Sequence, residues 1–202
     1  MTPRREVRAV YNEETIRVYQ AYSEEIADAA LAAGTFVTPF KRDRMTWIKP
    51  SFLWMMYRSG WASKDPGQHR VLAIDITRTG FEWALRHSCL SDAAARLGKQ
   101  EARKLMKASP VRVQWDPERD LHFNPLGHRS IQIGLSGGAV DHYIDDWITK
   151  ITDVTGLAHE VSAAVKQQDL SGAQSLLPQE RPYQLPNDVA DHVEADRGET
   201  ND

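Results

Sequence analysis

The sequence predicts an α+β fold in a single domain, with mixed or antiparallel sheets and flanking helices. Segments rich in β-branched and aromatic residues mix with helical segments, but they follow no strict strand-helix-strand rhythm. At 202 residues the chain has the length of one ordinary domain, which buries about 70% of the surface of its unfolded chain. No internal repeat is visible at solenoid periods.

The beginning of the chain predicts two strands and a helix. Val7 to Tyr11 and Thr15 to Tyr22 are β-favouring runs separated by Asn-Glu-Glu, which indicates two strands joined by a tight turn. Ser23 then opens a helical pattern with acidic residues in its first turn and apolar residues on one face, and Gly34 marks its end.

The middle of the chain predicts a short strand, a helix and a buried strand. The basic loop PFKRDR leads to a strand at Met45 to Ile48, after which Ser51 is placed to cap a helix that ends at Gly60. Residues 70–76 are rich in Val, Ile and Leu with little alternation, which is typical of a central strand. Thr77 or Thr79 is placed to cap the helix FEWALRH.

The remaining predicted elements are shorter or less regular. They are a helix from Ser91 to about Lys107, strands at 110–115 and 129–135 around the polar loop DPERDLHFNPLGH, a short helix at 136–146, a strand at 147–153 and a last helix from about Thr155 to Gln168.

Charge is unevenly distributed, and this predicts the domain boundary. Residues 178–202 hold seven acidic residues against two arginines, with several prolines and few aromatics. Such a composition is typical of a disordered tail, so we predict a folded domain at 1–177 and a disordered tail at 178–202. The folded part then carries a mild positive charge, which is too weak to indicate nucleic-acid binding by itself.

Several classes of protein are disfavoured by what the sequence lacks. Cys89 is the only cysteine, so an intramolecular disulfide is impossible. The charged first residues do not form a secretory signal, and no apolar run is long enough to span a membrane. We therefore predict a cytoplasmic protein without a membrane partner. Clustered metal ligands are missing, so no metal is expected, and no Gly-x-Ser-x-Gly motif is present.

The stretch TWIKPSFLWMMYRSGW, residues 46–61, is the first candidate site. If its second half is helical, Trp54, Arg58 and Trp61 share roughly one face. A guanidinium beside indole rings is suited to stacking on a base and pairing with a phosphate. Lys49 lies just before Pro50, at a strand end next to a helix start. The aromatic residues fit a hydrophobic core equally well, whereas two cations among them favour a pocket for an anion.

Two strands supply further candidates. In IRVYQAY, alternation places Arg17, Tyr19 and Ala21 on one face and Val18, Gln20 and Tyr22 on the other. Gln20 and Tyr22 could therefore present a carboxamide and a phenol to one pocket, or simply reach water.

The second of these strands lies in HRSIQIGLSGGAVDHY, residues 128–143. Arg129, Ile131 and Ile133 alternate there with Ser130, Gln132 and Gly134, and the strand runs into Ser-Gly-Gly at a helix start. Those glycines could expose backbone N–H groups to an anion or form a simple turn.

The chain resembles an uncharacterised family across residues 5 to about 155. The segments that carry the resemblance are RAVYNEETIRVYQAY, FKRDRMTWIKPSFLWMMYRSGW, VLAIDITRTGFEWALRHSCLS, SPVRVQWDPERDL and RSIQIGLSGGAV. They are similar to the family catalogued as domain of unknown function 4291, which implies no particular activity.

A more distant resemblance implies a chemistry. The order of VYQAY, AALAAGTF, WIKPSF and VLAIDI is similar to the start of the ADP-ribosyltransferase fold. By that resemblance Gln20 stands at the Arg/His position of the first motif, Lys49 and Ser51 belong to the second, and Gln132 approximates the third. The basic residue of the first motif and the glutamate of the third are both missing. RNA 2′-phosphotransferases share the fold, lack that glutamate and use basic residues on phosphate.

These observations together predict a nucleotide-handling enzyme of ADP-ribosyltransferase-like fold that uses NAD or an RNA phosphate end. Gln20, Lys49, Ser51 and Gln132 are the candidate catalytic residues. The candidate ligand-binding residues are Arg17, Tyr19, Tyr22, Trp47, Trp54, Arg58 and Arg129. In this interpretation Lys49, Arg58 and Arg129 hold phosphate, Trp47 or Trp54 stacks on a base, and Gln20 with Tyr22 orients the ribose.

The alternative is a non-catalytic module that binds a nucleotide or nucleic acid. An enzyme should gather its candidates in one concave pocket, whereas a binding module should spread its cations over an open groove.

Overall fold

The computed structural model describes residues 5–92 and 97–196 and has an α+β architecture. The strands are β1 (Arg8–Ala9), β2 (Thr15–Tyr22), β3 (Thr46–Ile48), β4 (Arg70–Thr77), β5 (Ser88–Leu90), β6 (Val111–Arg119), β7 (Pro125–Leu135), β8 (Ile148–Asp153) and β9 (Arg181–Pro182). The helices are α1 (Glu24–Ala33), α2 (Phe52–Ser59), α3 (Arg78–Arg86), α4 (Lys99–Ala108), α5 (Gly138–His142), α6 (Thr155–Lys166), α7 (Leu170–Leu176) and α8 (Asn187–Val193). Among the described residues, no helix is long and apolar enough to cross a membrane.

A three-stranded antiparallel sheet has the order β2-β4-β8, with β4 in the centre as the sequence predicts. Alternation along β2 divides its side chains between two apolar clusters. Ile16 and Val18 face the main core, whereas Tyr19 faces a second cluster that lies against α2 and α6. The predicted assignment of side chains to the two faces of β2 is therefore confirmed.

A four-stranded sheet has the order β3-β7-β6-β5, in which only the β5–β6 pair is parallel. One face carries Ile48, Val113 and Ile133, which are buried in the main core. The other face is polar: Gln114 pairs with Gln132, and Asp116 pairs with Ser130. Strands β6 and β7 extend through most of the segment predicted as a polar loop, so the loop is only a short turn at 120–124.

The two sheets meet where β2 passes the end of β3. The backbone N–H of Tyr19 donates to the carbonyl oxygen of Lys49 at 2.7 Å, and this antiparallel bridge continues β3 beyond its regular ladder. Lys49 therefore lies on the junction between the two sheets.

Local signals correctly predict the start of α1, α2, α3 and α6, whereas α7 and α8 were not predicted. Ser51 caps α2 by accepting from the N–H of Trp54, and Thr77 caps α3 by accepting from the N–H of Gly80. The described part of the helix predicted from Ser91 to about Lys107 is divided at Gly98: Ser91 and Asp92 form a turn, Leu97 is helical, and α4 runs from Lys99 to Ala108. Gly98 precedes α4 with φ of 79°, a left-handed conformation that does not continue a helix, and 93–96 lie outside the described residues.

The prediction of a disordered tail that starts at Pro178 is wrong for residues 178–196. Strand β9 pairs with β1, and α8 packs against the main core. Tyr183 is 4% exposed, while Val189 and Val193 are fully buried. The acidic composition masked these anchors, because a few apolar residues spaced along a helix can bury one face while its charges remain in solvent. Residues 197–202 lie outside the described part of the chain.

We expect Val193→Ala to lower the free energy of unfolding by about 1–3 kcal/mol, because it removes buried methyl groups and leaves a cavity in the main core. Denaturant unfolding would measure the loss. Leu176→Ala is the control, since Leu176 is 37% exposed and should change stability by less than about 0.5 kcal/mol. Equal and small effects of the two substitutions would contradict the docking of α8.

Candidate functional site

A concave cavity of about 680 Å³ opens beside the junction of the two sheets. Its wall is formed by β2, β3, α2 and the polar face of the four-stranded sheet, together with the loop that precedes β3. Of the predicted site residues, those that line it are Gln20, Tyr22, Trp47, Lys49, Trp54, Arg58 and Gln132. Segments far apart in the sequence therefore supply one pocket.

Lys49 occupies an unusual position in this cavity. It is 6% exposed, and its Nζ lies 5.0 Å from the centroid of the Trp54 ring. Within the described residues, this ammonium group donates no hydrogen bond and forms no ion pair. Burial lowers the pKa of Lys49 to about 7, the nearby Arg58 lowers it further, and Asp116 opposes the shift. Lys49 therefore carries much less charge near neutral pH than an ordinary lysine.

The indole rings take their positions from two different constraints. Trp54 lies in the first turn of α2 and is 7% exposed, and its Nε1 has no hydrogen-bond partner among the described residues. Trp47 lies across Gly134 on the neighbouring strand, where a Cβ would come within 3.0 Å of the indole ring. The glycine is thus required for the close approach of Trp47 to β7.

Trp61 does not join this wall, contrary to the predicted helical face with Trp54 and Arg58. Helix α2 ends at Ser59, and Gly60 and Trp61 both adopt positive φ. The chain therefore turns away, and the ring of Trp61 stacks on Phe123 with centroids 5.0 Å apart.

Gln20 is the centre of a buried hydrogen-bond network. Its Nε2 donates to Thr46 Oγ1 at 2.7 Å and lies 2.9 Å from Tyr22 Oη and 3.1 Å from the Trp47 carbonyl oxygen. Its Oε1 accepts from the hydroxyl of Tyr143 at 2.8 Å. Protein groups thus occupy both ends of the carboxamide, which fixes β2 against β3. Burial raises the pKa of Tyr22 to about 12, so its phenol stays protonated at neutral pH.

The floor of the cavity carries two further amides. Gln132 Nε2 donates to one oxygen of Asp116 at 2.6 Å, and Gln114 Nε2 donates to the other at 2.8 Å. One carboxylate therefore fixes both side chains, and each amide keeps an oxygen and a second N–H for other partners. Sequence reasoning missed Gln114 and Asp116, although the alternation of QWD along β6 places both on the face of Gln132.

Sequence reasoning also missed two cations of the wall. Lys41 and Arg44 belong to the basic loop before β3, and both line the cavity near Arg58 and Gln68. Arg58 is exposed, and its Nη1 donates to the side-chain oxygen of Gln68 at 3.3 Å. The basic composition of PFKRDR was the available signal, but a loop sequence does not indicate which pocket it borders.

Four predicted site residues lie outside this cavity, and each has another role. Arg17 pairs with Asp75 at 2.8 Å, and Tyr19 packs against Phe52 on the opposite face of β2. Ser51 is the buried N-cap of α2. Arg129 donates to the carbonyl oxygen of Trp115, because alternation along β7 places it on the face of Ile131 rather than on that of Gln132.

The Ser-Gly-Gly segment, residues 136–138, forms a turn at the start of α5. Ser136 donates through its hydroxyl to the Pro110 carbonyl oxygen at 2.9 Å, and Gly137 has φ of 54°. The segment does not border the cavity. The simple-turn interpretation is therefore the one that its geometry supports.

Glu180 connects the C-terminal segment to the cavity wall. Its Oε1 accepts from the N–H of Phe52 at 2.7 Å, at the first residue of α2. Burial raises the pKa of Glu180 to about 8, the like charge of Glu118 adds to the shift, and the hydrogen bond from Phe52 and the charge of Arg8 oppose it. The helix that carries Trp54 and Arg58 is thus capped by both Ser51 and Glu180.

The family model described as a domain of unknown function, DUF4291, matches residues 6–183, so the chain belongs to this family. No curated protein matches the chain. The matched region includes every residue named above in the cavity wall and also Glu180. Among the described residues, no group of three or more His, Cys, Asp or Glu side chains is placed to hold a metal ion.

We expect Gln20→Leu to lower the free energy of unfolding by about 1–3 kcal/mol, because it leaves the hydroxyl of Tyr143 without its buried acceptor and removes one of the two partners of the Thr46 hydroxyl. Chemical denaturation would measure this loss. Gln132→Leu is the matched control: its amide makes one hydrogen bond in a half-buried position, so it should cost less than half as much. The structural importance of Gln20 would be disproved by equal losses in the two variants.

The raised pKa of Glu180 predicts how stability depends on pH. A carboxyl group whose folded-state pKa lies above its unfolded value stabilises the fold when protonated, and this contribution is lost as the pH rises towards about 8. Gln at this position keeps an oxygen for the Phe52 N–H and cannot ionise. The melting temperature of Glu180→Gln should therefore increase relative to the unmodified protein between pH 5 and pH 8.5. The exposed Glu160, changed to Gln, should show no such trend, and a flat difference for Glu180→Gln would refute the assignment.

Proposed function

We propose that this protein is a nucleotide-handling transferase with an ADP-ribosyltransferase-like fold, acting on NAD or on a phosphorylated RNA end. The observation that carries the proposal is the gathering of Lys49, Arg58 and Gln132 with two indole rings in one concave cavity. This is the arrangement expected of an enzyme rather than of an open binding groove.

The charge of the cavity favours a phosphorylated ligand. Its described lining contains four basic side chains, Lys41, Arg44, Lys49 and Arg58, and no carboxylate or histidine. Asp116 lies behind the two glutamines, and its carboxylate accepts from both. An anion that enters the cavity therefore meets positive charge and neutral amides, both of which donate hydrogen bonds to phosphate oxygens.

The aromatic side chains favour a ligand that also has a planar part. Trp47, Trp54 and Phe40 line the same cavity as the cations. Indole and phenyl rings stack on nucleobases whatever the base, at about 1–3 kcal/mol for each stacked base. A volume of about 680 Å³ lies within the range of pockets for small molecules and cofactors. A nucleotide combines the anionic and planar parts that this wall accommodates.

The kind of transfer reaction depends on the glutamate of the third ADP-ribosyltransferase motif, which this chain does not have at the position of Gln132. In ADP-ribosyl transfer by the related fold, that carboxylate stabilises an oxocarbenium-like centre, whereas this cavity presents Gln132. Transfer of a phosphate from an RNA end does not need the carboxylate and relies on basic residues. Arg58, Lys41 and Arg44 are suited to hold the phosphate in either case. NAD is the candidate cofactor for ADP-ribosyl transfer. We also propose that the protein is cytoplasmic.

The alternative function is a module that binds a nucleotide without turnover. The observation that favours it is the same lack of an acidic side chain in the described lining of the cavity. Incubation with NAD and with RNA that ends in a 2′-phosphate, followed by chromatography of the products, separates the two functions. Binding without product formation would support the module.

We expect a thermal-shift screen with NAD, ATP and short phosphorylated RNA to identify a stabilising ligand, because selective binding stabilises the folded state. Arg58→Gln should weaken binding of that ligand by about 1.5–3 kcal/mol, the range for hydrogen bonds to charged groups. The exposed side chain of Arg58 should make little difference to stability.

The matched control is Lys64→Gln, which removes an exposed cation near α2 that does not line the cavity. Isothermal titration calorimetry would compare the two variants. Unchanged affinity in Arg58→Gln, or an equal loss in Lys64→Gln, would count against an anion-binding role for this cavity.

A further inference from the structure

The side chains that line the cavity differ in their ability to exchange a proton near neutral pH. Arginines stay charged, and tryptophans and glutamines do not titrate in this range. Tyr22 keeps its proton because its pKa is raised to about 12. Within the described lining, this leaves the two lysines, Lys41 in the loop before β3 and Lys49 at the sheet junction, as amines that can lose a proton.

These two lysines have very different surroundings. Lys41 is exposed, whereas Lys49 is 6% exposed and lies against the Trp54 ring. No described carboxylate forms an ion pair with Lys49. Contact with the face of the Trp54 ring replaces part of the hydration that the ammonium group loses, but burial has the larger effect on Lys49 and favours the neutral amine. The geometry of the site thus favours the neutral form of Lys49 but not of Lys41.

We propose that Lys49 works as a neutral amine that accepts a proton from the attacking hydroxyl group in the transfer reaction. This inference rests on the proposed function and deepens it. The O–H bond of the acceptor breaks, and its proton moves to the lone pair of Nζ, which becomes an ammonium. The acceptor oxygen forms the new bond to the carbon or phosphorus of the bound nucleotide. The leaving group departs with the electron pair of the broken bond, and the ammonium afterwards returns its proton to solvent.

This role separates Lys49 from the cations that hold phosphate. Arg58 is exposed at the cavity wall, and Lys41 and Arg44 line the cavity from the loop that precedes β3. The cavity therefore has basic side chains for a phosphate besides Lys49. The transfer reaction needs a proton acceptor, and the described lining of the cavity has no carboxylate or histidine for that role. Lys49 fills that position without requiring another residue.

The charged groups around Lys49 come from several elements. Arg58 on α2 lowers its pKa, Asp116 on β6 raises it, and burial has the largest effect, which brings the pKa to about 7. Tyr22 on β2 and the cations Lys41 and Arg44 also line the cavity. A pKa of about 7 places Lys49 near the operating pH, which is the condition for an efficient general base.

The test is the reactivity of each lysine towards a trace of acetic anhydride, a small neutral reagent that acylates only unprotonated amines. The folded, unliganded protein is labelled at a series of pH values from 5 to 11, and peptide mass spectrometry measures the extent at each lysine. We expect labelling of Lys49 to rise with a midpoint near pH 7, whereas the lysine of an added unstructured reference peptide should rise about three pH units later. At pH 7.5, the labelled fraction of Lys49, relative to its own maximum, should be at least about tenfold that of the reference peptide.

Arg58→Met provides a second measurement on the same amine. Removal of the neighbouring positive charge should move the Lys49 midpoint upwards by a measurable fraction of a pH unit, and the midpoint of Lys64 should not move. A Lys49 midpoint equal to that of the reference peptide, or a lack of labelling at Lys49 up to pH 9, would overturn the proposal, since the amine would then be charged or inaccessible.

This experiment distinguishes the present inference from the proposed function. The labelling uses the protein without any nucleotide, so its outcome does not depend on whether NAD or RNA binds. Protection of Lys49 from acetic anhydride by NAD or by phosphorylated RNA would instead test the proposed function. A low midpoint without protection by either ligand would support the reactive amine and contradict nucleotide binding.

Discussion

The backbone bridge between Tyr19 and Lys49 is the contact on which the site depends. Each sheet is complete in its own hydrogen-bond ladder, and the hydrogen bond from the Tyr19 N–H to the Lys49 carbonyl oxygen joins them at 2.7 Å. The carboxamide of Gln20 strengthens the junction through Thr46 and the Trp47 carbonyl oxygen. Because the bridge holds Lys49 one residue beyond the end of β3, the lysine side chain can reach a cavity walled by both sheets. Helix α2 begins three residues later and closes that cavity with Trp54.

The C-terminal segment supports the same helix from the outside. Glu180 accepts from the first backbone N–H of α2, and Tyr183 is buried with its hydroxyl 2.7 Å from Glu82 on α3. The family model ends at residue 183, just after both side chains. The segment up to Tyr183 is therefore part of the family domain rather than an appendage. Its role is to fix α2, and with it the position of Trp54 and Arg58 in the cavity wall.

Local sequence signals predicted the elements well because their causes are local. Ser51 and Thr77 cap helices through hydrogen bonds to residues three positions later, and alternation along β2 depends only on the pleat of one strand. The site depended instead on distant contacts. Glu180 and Phe52 lie 128 positions apart in sequence, and Gln20 and Tyr143 lie 123 apart.

No periodicity indicates such contacts, which explains the errors in the predicted site. Gln20 was predicted from its strand face, but its carboxamide turned out to be occupied by buried protein groups. Arg129 was predicted from its charge, but alternation along β7 places it on the face opposite to Gln132, away from the cavity. The placement of Lys49, Arg58 and Trp54 together succeeded because all three lie within ten residues of each other.

Lys49 and Arg58, the two basic residues of the aromatic stretch 46–61, have different roles because they differ in burial. The indole rings exclude water, which weakens the screening of any charge near them. Arg58 is exposed at the rim of the wall, so its guanidinium keeps its hydration and is open to an anion that enters the cavity. For Lys49, which is buried against the Trp54 ring, the same loss of water destabilises the charged form and leaves a free amine. Arg58 can therefore serve as a cation for binding and Lys49 as a base for proton transfer, because the two residues differ in how deeply they are buried in the same wall.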